Sequence, residues 1–302
     1  MIVMSRIQEY KNEYKENGVI GVLKRLFYVL PNRYVIKRTQ KAPLRYGLNQ
    51  DEERNEKVIV SLTSYPDRFD NIYLCLKSLL LQDYKPDRII VWLGSDTQQS
   101  DMTKEMLSLE KFGVEYRFDN SLNLRPHKKY FYAFQEFPND IVITVDDDSV
   151  YPENTVSSLI KSYQNHPLAV SARRVHLMTY DKWGNLLPYS DWKYEYRKLR
   201  EESKSLLAVG VGGILYPPHT FDNRVLDVER IQALCLGADD IWLKCMELLR
   251  DVNVVWVPSF FPHPPALTSK SSLGQSNVGA GKNDRYLSQM LEAYGISMNL
   301  RR

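Results

Sequence analysis

Cysteine is scarce in this chain of 302 residues, which contains three of them, at positions 75, 235 and 245. No pair has the Cys-x-x-Cys spacing and the total is odd, so neither a disulfide framework nor a structural zinc site organises the fold. The scarcity of cysteine therefore indicates a reducing, cytoplasmic compartment. The apolar fraction of 43% and the charged fraction of 25% are those of an ordinary globular protein.

Long apolar runs are also missing. The first apolar stretch, residues 19–30, is interrupted by Lys24 and Arg25, which does not fit a signal peptide. The longest uncharged run, residues 252–269, contains four prolines and cannot form a membrane-spanning helix. We therefore expect a soluble or peripheral protein rather than an integral one.

A strong net charge is missing as well, because 40 basic residues are opposed by 37 acidic ones. A charge of +3 is too small for affinity that depends on neutralising phosphates, which excludes nucleic acid as a partner. The charge is uneven, however, since residues 1–45 carry ten Lys or Arg and three Glu. We therefore divide the chain into a basic, partly helical N-terminal extension, residues 1–49, and one main domain, residues 50–302.

The basic extension has two interpretations. Apolar residues at positions 20, 22, 23, 26, 27 and 30 could occupy one face of a helix. Such a helix could lie on an anionic membrane, with basic headgroup contacts from Lys24, Arg25, Arg33, Lys37 and Arg38. Alternatively, the helix packs on the main domain and leaves a basic face in solvent. Peripheral contact with an anionic membrane therefore stays open.

Strands and helices alternate through the main domain. Short apolar runs predict strands at 58–62, 88–93, 114–118 and 141–145, and helical spacing predicts helices at 69–81, 102–111, 128–137 and 154–165. Such alternation is typical of a mostly parallel sheet covered by helices on both faces, a three-layer α/β/α sandwich. The later pattern is weaker and comprises an aromatic insertion (175–200), a glycine-containing stretch (206–216), a helix (238–249), a strand (252–257) and a last helix (283–294).

Three consecutive aspartates, Asp146, Asp147 and Asp148, directly follow the fourth predicted strand. They therefore lie at the carboxyl edge of the sheet, where open α/β sheets bind their ligands. Adjacent carboxylates repel one another unless a cation neutralises them, and Mg²⁺ or Mn²⁺ shared with substrate phosphates is the natural solution. An acidic loop that only caps the next helix is the structural alternative.

Two other charged pairs open predicted helices. Lys128 and Lys129 could offset phosphate charge as cations, although Lys128 could equally be the solvated start of its helix. Asp239 and Asp240 begin another helix, where the helix dipole favours carboxylates whatever their function. A carboxylate there could also accept the proton of an attacking hydroxyl group.

The loop after the first strand is rich in polar and aromatic groups. It contains Thr63, Tyr65, Asp67 and Arg68. A tyrosine in such a place can stack on a planar ring, and an aspartate can accept hydrogen bonds from a ligand. A turn-capping role for Asp67 is the structural alternative.

These motifs together resemble nucleotide-sugar glycosyltransferases of the GT-A fold with a DxD motif, of the family 2-like, bacterial surface-polysaccharide type. The resemblance is carried by five segments that occur in the family's order: Val58–Arg68, Arg125–Tyr130, Thr144–Pro152, Gly210–Pro218 and Ala238–Leu243. They extend over roughly residues 57–250. The resemblance therefore implies a GT-A-like fold and a nucleotide-sugar donor.

The resemblance also implies a role for individual residues. Asp146 would contact the ribose or base side of the nucleotide, Asp148 would ligate the metal, and Asp147 would assist or turn away. Asp240 would be the general base and Asp239 would position the acceptor, which implies inversion at the anomeric carbon. The donor contacts would come from Thr63, Tyr65, Asp67, Arg68, Lys128, Lys129, Asp146 and Asp147, and the metal ligands would be Asp148, Asp146 and His263.

The predicted function is transfer of a sugar to a saccharide or lipid-linked saccharide, with Mn²⁺ or Mg²⁺, in bacterial capsule, lipopolysaccharide or exopolysaccharide synthesis. Two alternatives stay open. The spacing Asp146-x-Asp148-x-Val150 also matches aspartyl-phosphate phosphatases, in which Asp146 would be a nucleophile. A catalytically silent scaffold could instead use the basic N-terminus to reach a membrane.

Two features of the second half have both a functional and a structural interpretation. Trp183, Tyr189 and Trp192 could stack on acceptor sugar rings or form a small aromatic core. Three glycines within residues 210–213 could let the backbone approach a sugar or could serve tight strand packing.

Overall fold

The computed structural model describes residues 30–94, 97–119, 122, 124–259, 267 and 281–298 of the chain. Its strands are β1 (Val58–Ser64), β2 (Arg88–Leu93), β3 (Val114–Phe118), β4 (Ile141–Thr144), β5 (Val170–Ala172), β6 (Val175–Leu177), β7 (Leu206–Ala208), β8 (Ile214–Tyr216) and β9 (Val254–Trp256). Seven of them form one sheet in the order β3-β2-β1-β4-β8-β5-β9, while β6 and β7 form a separate antiparallel ribbon.

The larger sheet is mostly parallel, as the sequence predicts. β1 lies between β2 and β4 and is parallel to both, so that Val60 is aligned with Ile89 and with Ile143. β3 continues the parallel order beyond β2, and β9 is parallel to β5. The exception is β8, which is antiparallel to β4 and β5. The carboxyl ends of β1, β2, β4 and β5 therefore meet at one edge of the sheet.

Helices cover both faces of the sheet. They are α1 (30–41), α2 (Phe69–Leu80), α3 (Lys104–Leu107), α4 (Lys128–Glu136), α5 (Thr155–Asn165), α6 (Val228–Arg230), α7 (Asp239–Leu249) and α8 (Lys282–Tyr294). Apolar side chains of α2, α3 and α5 pack on one face, and those of α4, α7 and α8 pack on the other. The three-layer α/β/α architecture is therefore confirmed.

Alternation along β1 explains these layers. Val58, Val60 and Leu62 belong to the cluster that includes α2, whereas Ile59 packs on the side of α4. Successive side chains of a strand point to opposite faces, and β1 is buried on both of them apart from a partly exposed Thr63. The strand therefore reads as a continuous apolar run rather than as an alternating one.

One predicted helix is shorter than expected. The pattern predicts a helix over residues 102–111, but α3 spans only Lys104–Leu107 and a 3-10 turn follows at Glu110–Phe112. The Ser108 hydroxyl donates to a backbone carbonyl of the preceding turn, and such bonds compete with continuation of a helix. Gly113 then ends the segment in the left-handed region, with φ of 111°.

The described part of the basic extension packs on the main domain. Val35 and Thr39, one turn apart on α1, are buried, and Arg38 forms an ion pair of 2.6 Å with Glu153. The opposite side is exposed and carries Leu30, Arg33, Tyr34, Lys37 and Lys41. Residues 1–29, with most of the apolar pattern, lie outside the described residues. Among the described helices, none combines the length and the apolar character needed to cross a bilayer.

The aromatic insertion contains a core of its own. Tyr189 and Trp192 are buried, and their ring centroids lie 4.7 Å apart. For these two rings the structural interpretation is confirmed, and stacking on an acceptor sugar is wrong. Trp183 is exposed, with the Lys182 ammonium 4.3 Å from its ring centroid.

Candidate active site

The aspartate triplet lies just beyond the end of β4, and its three side chains have different surroundings. Asp146 and Asp148 are 31% and 21% exposed, whereas Asp147 is 6% exposed. Tyr151 fixes the backbone of this loop, because its hydroxyl accepts from the Asp146 amide at 2.8 Å and donates to the Asp146 carbonyl at 3.2 Å. The loop thus presents its first and third carboxylates to solvent and turns the second inward.

Asp147 is held inside the loop by two donors. The Ser64 hydroxyl donates to one carboxylate oxygen at 2.6 Å, and the Arg68 guanidinium donates to the other at 2.5 Å. The same guanidinium nitrogen lies 3.0 Å from Asp148. Burial raises the pKa of Asp147 to about 6, although Arg68 and Ser64 oppose that shift. Arg68 therefore lies against the triplet, which adds a contact that the sequence did not predict.

The other residues of the first loop are less closely tied to the triplet. The Thr63 hydroxyl donates to the Trp92 carbonyl at 2.8 Å and is thus engaged in the sheet. Tyr65 is 40% exposed, and its ring centroid lies 5.2 Å from the guanidinium carbon of Arg68. Asp67 is exposed in the 3-10 turn that follows. Tyr65 is therefore brought to the triplet through Arg68.

Lys129 joins the triplet to the acidic pair. Its ammonium nitrogen lies 2.8 Å from Oδ1 of Asp146 and 2.7 Å from Oδ2 of Asp239. The side chain is 5% exposed. Lys128, beside it at the start of α4, is buried as well, so the interpretation of Lys128 as a solvated helix start is wrong.

The acidic pair begins α7, with Asp239 buried and Asp240 half-buried. The Gly210 amide lies 3.2 Å and 3.4 Å from the two carboxylate oxygens of Asp240, to which it donates. Although burial opposes its charge, Lys129 and His127 hold the pKa of Asp239 below its usual range. Burial and the charges of Asp239 and Asp146 raise the pKa of Asp240. The pair therefore splits into one carboxylate that keeps its charge and one that readily takes up a proton.

The structure explains why glycine occupies two positions next to the acidic pair. A Cβ atom at Gly210 would lie 2.7 Å from Nζ of Lys129 and 3.2 Å from Oδ1 of Asp146, closer than a side chain permits. Gly213 has a φ of 88°, in the left-handed region that favours glycine. Gly210 thus leaves room for the ion pairs, and Gly213 makes the turn into β8.

Ser64 and Tyr151 were not predicted from the sequence. Ser64 is the last residue of β1, and Tyr151 lies within the acidic loop. A polar side chain at the carboxyl end of a strand, and one inside an acidic loop, are the signals that could have found them. Both hold the triplet in place rather than face solvent.

The residues of the triplet fit a hard divalent cation. No group of three or more His, Cys, Asp or Glu side chains is arranged to hold a metal ion in the described part of the chain. However, Asp146 and Asp148 offer accessible carboxylate oxygens, and Mg²⁺-type ions take one or two carboxylates and complete their shell with water and substrate phosphates. His263, the predicted third ligand, lies outside the described residues.

The family of the chain is shown by a comparison with protein-family models. The model described as glycosyl transferase family 2 matches residues 58–215, slightly more than half of the chain. The chain belongs to this family. It is therefore a glycosyltransferase that uses a nucleotide-sugar donor, and the phosphatase and silent-scaffold alternatives are wrong. The matched range runs from β1 into β8 and contains the triplet, whereas the acidic pair lies beyond it.

A solved structure shows the same fold at low sequence identity. A mannosyltransferase, PcManGT from Pyrobaculum calidifontis, in complex with GDP-Man and Mn²⁺, is 15% identical with a TM-score of 0.52; the match covers 89% of this chain and 72% of that one. A 4-diphosphocytidyl-2C-methyl-D-erythritol synthase is 10% identical with a TM-score of 0.43, over 76% of this chain and 99% of its own. A search among curated proteins finds no match.

Proposed function

We propose that this glycosyltransferase moves a sugar from a nucleotide-diphosphate sugar to a saccharide or lipid-linked saccharide acceptor, assisted by Mn²⁺ or Mg²⁺ and with inversion at the anomeric carbon. The observation that carries the proposal is the pair of contacts made by Lys129 with Asp146 and Asp239. These contacts hold the triplet and the acidic pair at one place on the sheet edge. A donor bound at the triplet and an acceptor activated by the pair would meet there.

Asp146 and Asp148 would hold the divalent cation, which, when bound, offsets the negative charge that develops on the departing nucleoside diphosphate. The charges around the triplet support this role. Lys129 and Arg68 are two cations against the five carboxylates of the triplet and the pair, so further positive charge would ease the approach of a diphosphate. The mannosyltransferase of the same fold was solved with GDP-Man and Mn²⁺, which is further support.

Asp240 would act as the general base. It would take the proton of the acceptor hydroxyl while the acceptor oxygen forms its bond to the anomeric carbon. The bond from that carbon to the diphosphate oxygen breaks, and its electron pair leaves with the nucleoside diphosphate. The raised pKa of Asp240 is appropriate to a group that must accept a proton near neutral pH. One displacement of this kind inverts the anomeric configuration, so a retained configuration seen by product NMR would contradict it.

The donor nucleotide would lie along the loop that follows β1. Tyr65 has an exposed ring that could stack on the base, and the exposed Asp67 could accept hydrogen bonds from the base or ribose. Arg68 would contribute through the triplet that it contacts, and Thr63 through the backbone that it stabilises. Lys128 would add positive charge beside Lys129.

The biological context that we propose is bacterial surface-polysaccharide synthesis at the inner face of the membrane. Residues 1–49 would form an attachment segment for the catalytic domain, residues 50–302. Residues 30–46 contain five basic residues and no acidic one, and α1 exposes most of them. Anionic headgroups attract such segments, and a lipid-linked acceptor would lie in the same membrane.

Vesicle cosedimentation tests the attachment. Wild-type protein should pellet with phosphatidylglycerol-containing vesicles and not with phosphatidylcholine alone, and the triple variant Arg33→Glu, Lys37→Glu and Lys41→Glu should stay in the supernatant. Lys161→Glu, an exposed position on α5, is the matched control. Equal binding by the triple variant would contradict the attachment.

A thermal-shift screen tests the enzymatic proposal. UDP-, GDP-, CDP- and dTDP-sugars are added with and without Mn²⁺, and at least one should raise Tm only when Mn²⁺ is present. Asp148→Asn should abolish that rise, whereas Asp240→Asn should keep it and lose release of nucleoside diphosphate. Asp51→Asn, exposed and before β1, is the control that should match wild type. No metal-dependent shift with any donor, or a wild-type response in Asp148→Asn, would contradict the proposal.

A further inference from the structure

Lys129 occupies an unusual position for a cation at a phosphate site. Its ammonium nitrogen is in contact with one carboxylate of the triplet, Asp146 at 2.8 Å, and one carboxylate of the acidic pair, Asp239 at 2.7 Å. The two aspartates are 93 residues apart in the sequence, and both Lys129 and Asp239 are nearly inaccessible. The ammonium charge of Lys129 is thus paired with two carboxylates of the protein itself.

The surroundings fix Lys129 in that position. The Ser61 hydroxyl donates to the Lys129 carbonyl at 2.5 Å, and the Trp92 indole nitrogen donates to Ser61 at 2.9 Å. The start of α4 is therefore bound to the middle of β1. On the other side, Gly210 has no side chain, and a Cβ atom there would lie 2.7 Å from the ammonium nitrogen. Backbone and side chain of Lys129 are both constrained.

The same turn that makes room for Lys129 also binds the proposed base. The Gly210 amide donates to the Asp240 carboxylate, next in sequence to Asp239. Lys129 and Gly210 therefore hold adjacent carboxylates at the first turn of α7. A displacement of Lys129 would move the acidic pair relative to the triplet, and small misplacements of reacting groups are costly for catalysis.

We propose that Lys129 is a positioning residue that fixes the acidic pair against the triplet, and not a ligand of the donor phosphates. The inference rests on the proposed function for its effect on turnover. A lysine that binds phosphate needs its ammonium free to reach the donor. Here the ammonium joins the donor side of the site to the acceptor side, and its loss should leave the donor bound but the acceptor misplaced.

A double-mutant cycle tests the bridge. Lys129→Met, Asp239→Asn and the double variant are compared with wild type for donor affinity, by titration with Mn²⁺ present, and for kcat of nucleoside diphosphate release. Each single variant should keep the donor Kd within about threefold and lower kcat by about 100-fold or more. The kcat of the double variant should be no lower than that of the less active single variant. Lys161→Met is the control for loss of a lysine that is exposed.

Gly210→Ala provides a second variant that changes no charge. The added methyl group should displace the ammonium, so kcat should fall while the donor Kd is kept. A tenfold or greater loss of donor affinity in Lys129→Met, together with effects of Lys129 and Asp239 that multiply independently, would overturn the proposal and make Lys129 a donor ligand.

The urea unfolding midpoint gives a readout that needs no substrate. Asp239→Asn should lower the midpoint much less in the Lys129→Met background than in wild type, because the two residues are partners in one contact. Equal shifts in both backgrounds would overturn the bridge. Coupled shifts in a protein that binds no donor would leave the bridge standing and refute the proposed function.

Discussion

A buried neutral histidine should make the stability of this protein depend on pH. His127, just before α4, is fully buried. Its Nε2 lies 2.9 Å from the Cys235 carbonyl, which can only accept, so Nε2 carries the proton. Nδ1 then accepts from the Tyr130 hydroxyl at 2.8 Å. Burial lowers the pKa of His127 to about 4, although Asp239 opposes the shift.

The sign and size of the effect follow from that shift. An unfolded histidine binds a proton near pH 6.5, whereas native His127 does not until the pH is about 4. The free energy of unfolding is therefore highest above pH 6.5, where both states leave the imidazole neutral. It falls as the pH drops from 6.5 to 4, because the unfolded state then binds a proton that native His127 does not. The free energy of unfolding falls by about 3 kcal/mol in all, and about 2 kcal/mol of this is already lost at pH 5.

Urea unfolding at pH 7.5 and pH 5.0 measures this contribution. His127→Gln, which can still donate to the Cys235 carbonyl, should be less stable than wild type at pH 7.5. It should lose about 2 kcal/mol less than wild type between the two pH values. His166→Gln, at a partly exposed histidine paired with Glu202, is the control. An equal loss in wild type and His127→Gln would refute the assignment of a buried neutral imidazole.

Three further predictions concern the core, a buried ion pair and turnover. Trp192→Ala should lower the free energy of unfolding by about 3–5 kcal/mol because it leaves a cavity, and Trp183→Ala, at an exposed ring, by less than about 1 kcal/mol; equal losses in urea unfolding would contradict the burial. Lys244→Met alone should cost about 3 kcal/mol or more because it leaves the Glu247 carboxylate buried and unpaired, while Lys244→Met with Glu247→Leu should recover most of that loss in the same assay; an additive double variant would contradict this. Turnover should rise with pH and level off around a pH above the pKa of an ordinary carboxylate, because only ionised Asp240 accepts a proton. Saturating Mn²⁺ should move this inflection to lower pH. A rate that does not change between pH 5 and 9 would contradict the role of Asp240.

The sequence predicts the framework of this protein because local signals and global topology agree. Buried parallel strands appear as short apolar runs, and the helices that cross between them carry an apolar stripe. The triplet could be placed at the sheet edge because it directly follows the strand of residues 141–144. The segmentation of residues 102–111 could not be predicted, because side-chain hydrogen bonds decide it and apolar spacing does not show them.

The contacts inside the site were harder to predict than its members. Local motifs indicate Asp146, Lys129 and Asp239 one by one, but their contacts with each other depend on how α4 and α7 pack on one face of the sheet. A sequence motif does not show whether a lysine faces solvent, a phosphate or another side chain. The same limit applies to Tyr189, whose aromatic ring fits a sugar platform and a core equally well until burial decides.

Arg68 balances two neighbouring carboxylates of the triplet with a single guanidinium group. Without this guanidinium, the three adjacent carboxylates would repel one another while the protein folds in the absence of nucleotide and metal ion. Because Arg68 is part of the chain, two of the three carboxylates have a counter-charge before a donor or an ion binds. Substitution of Arg68 should therefore lower the amount of folded protein that a cell accumulates.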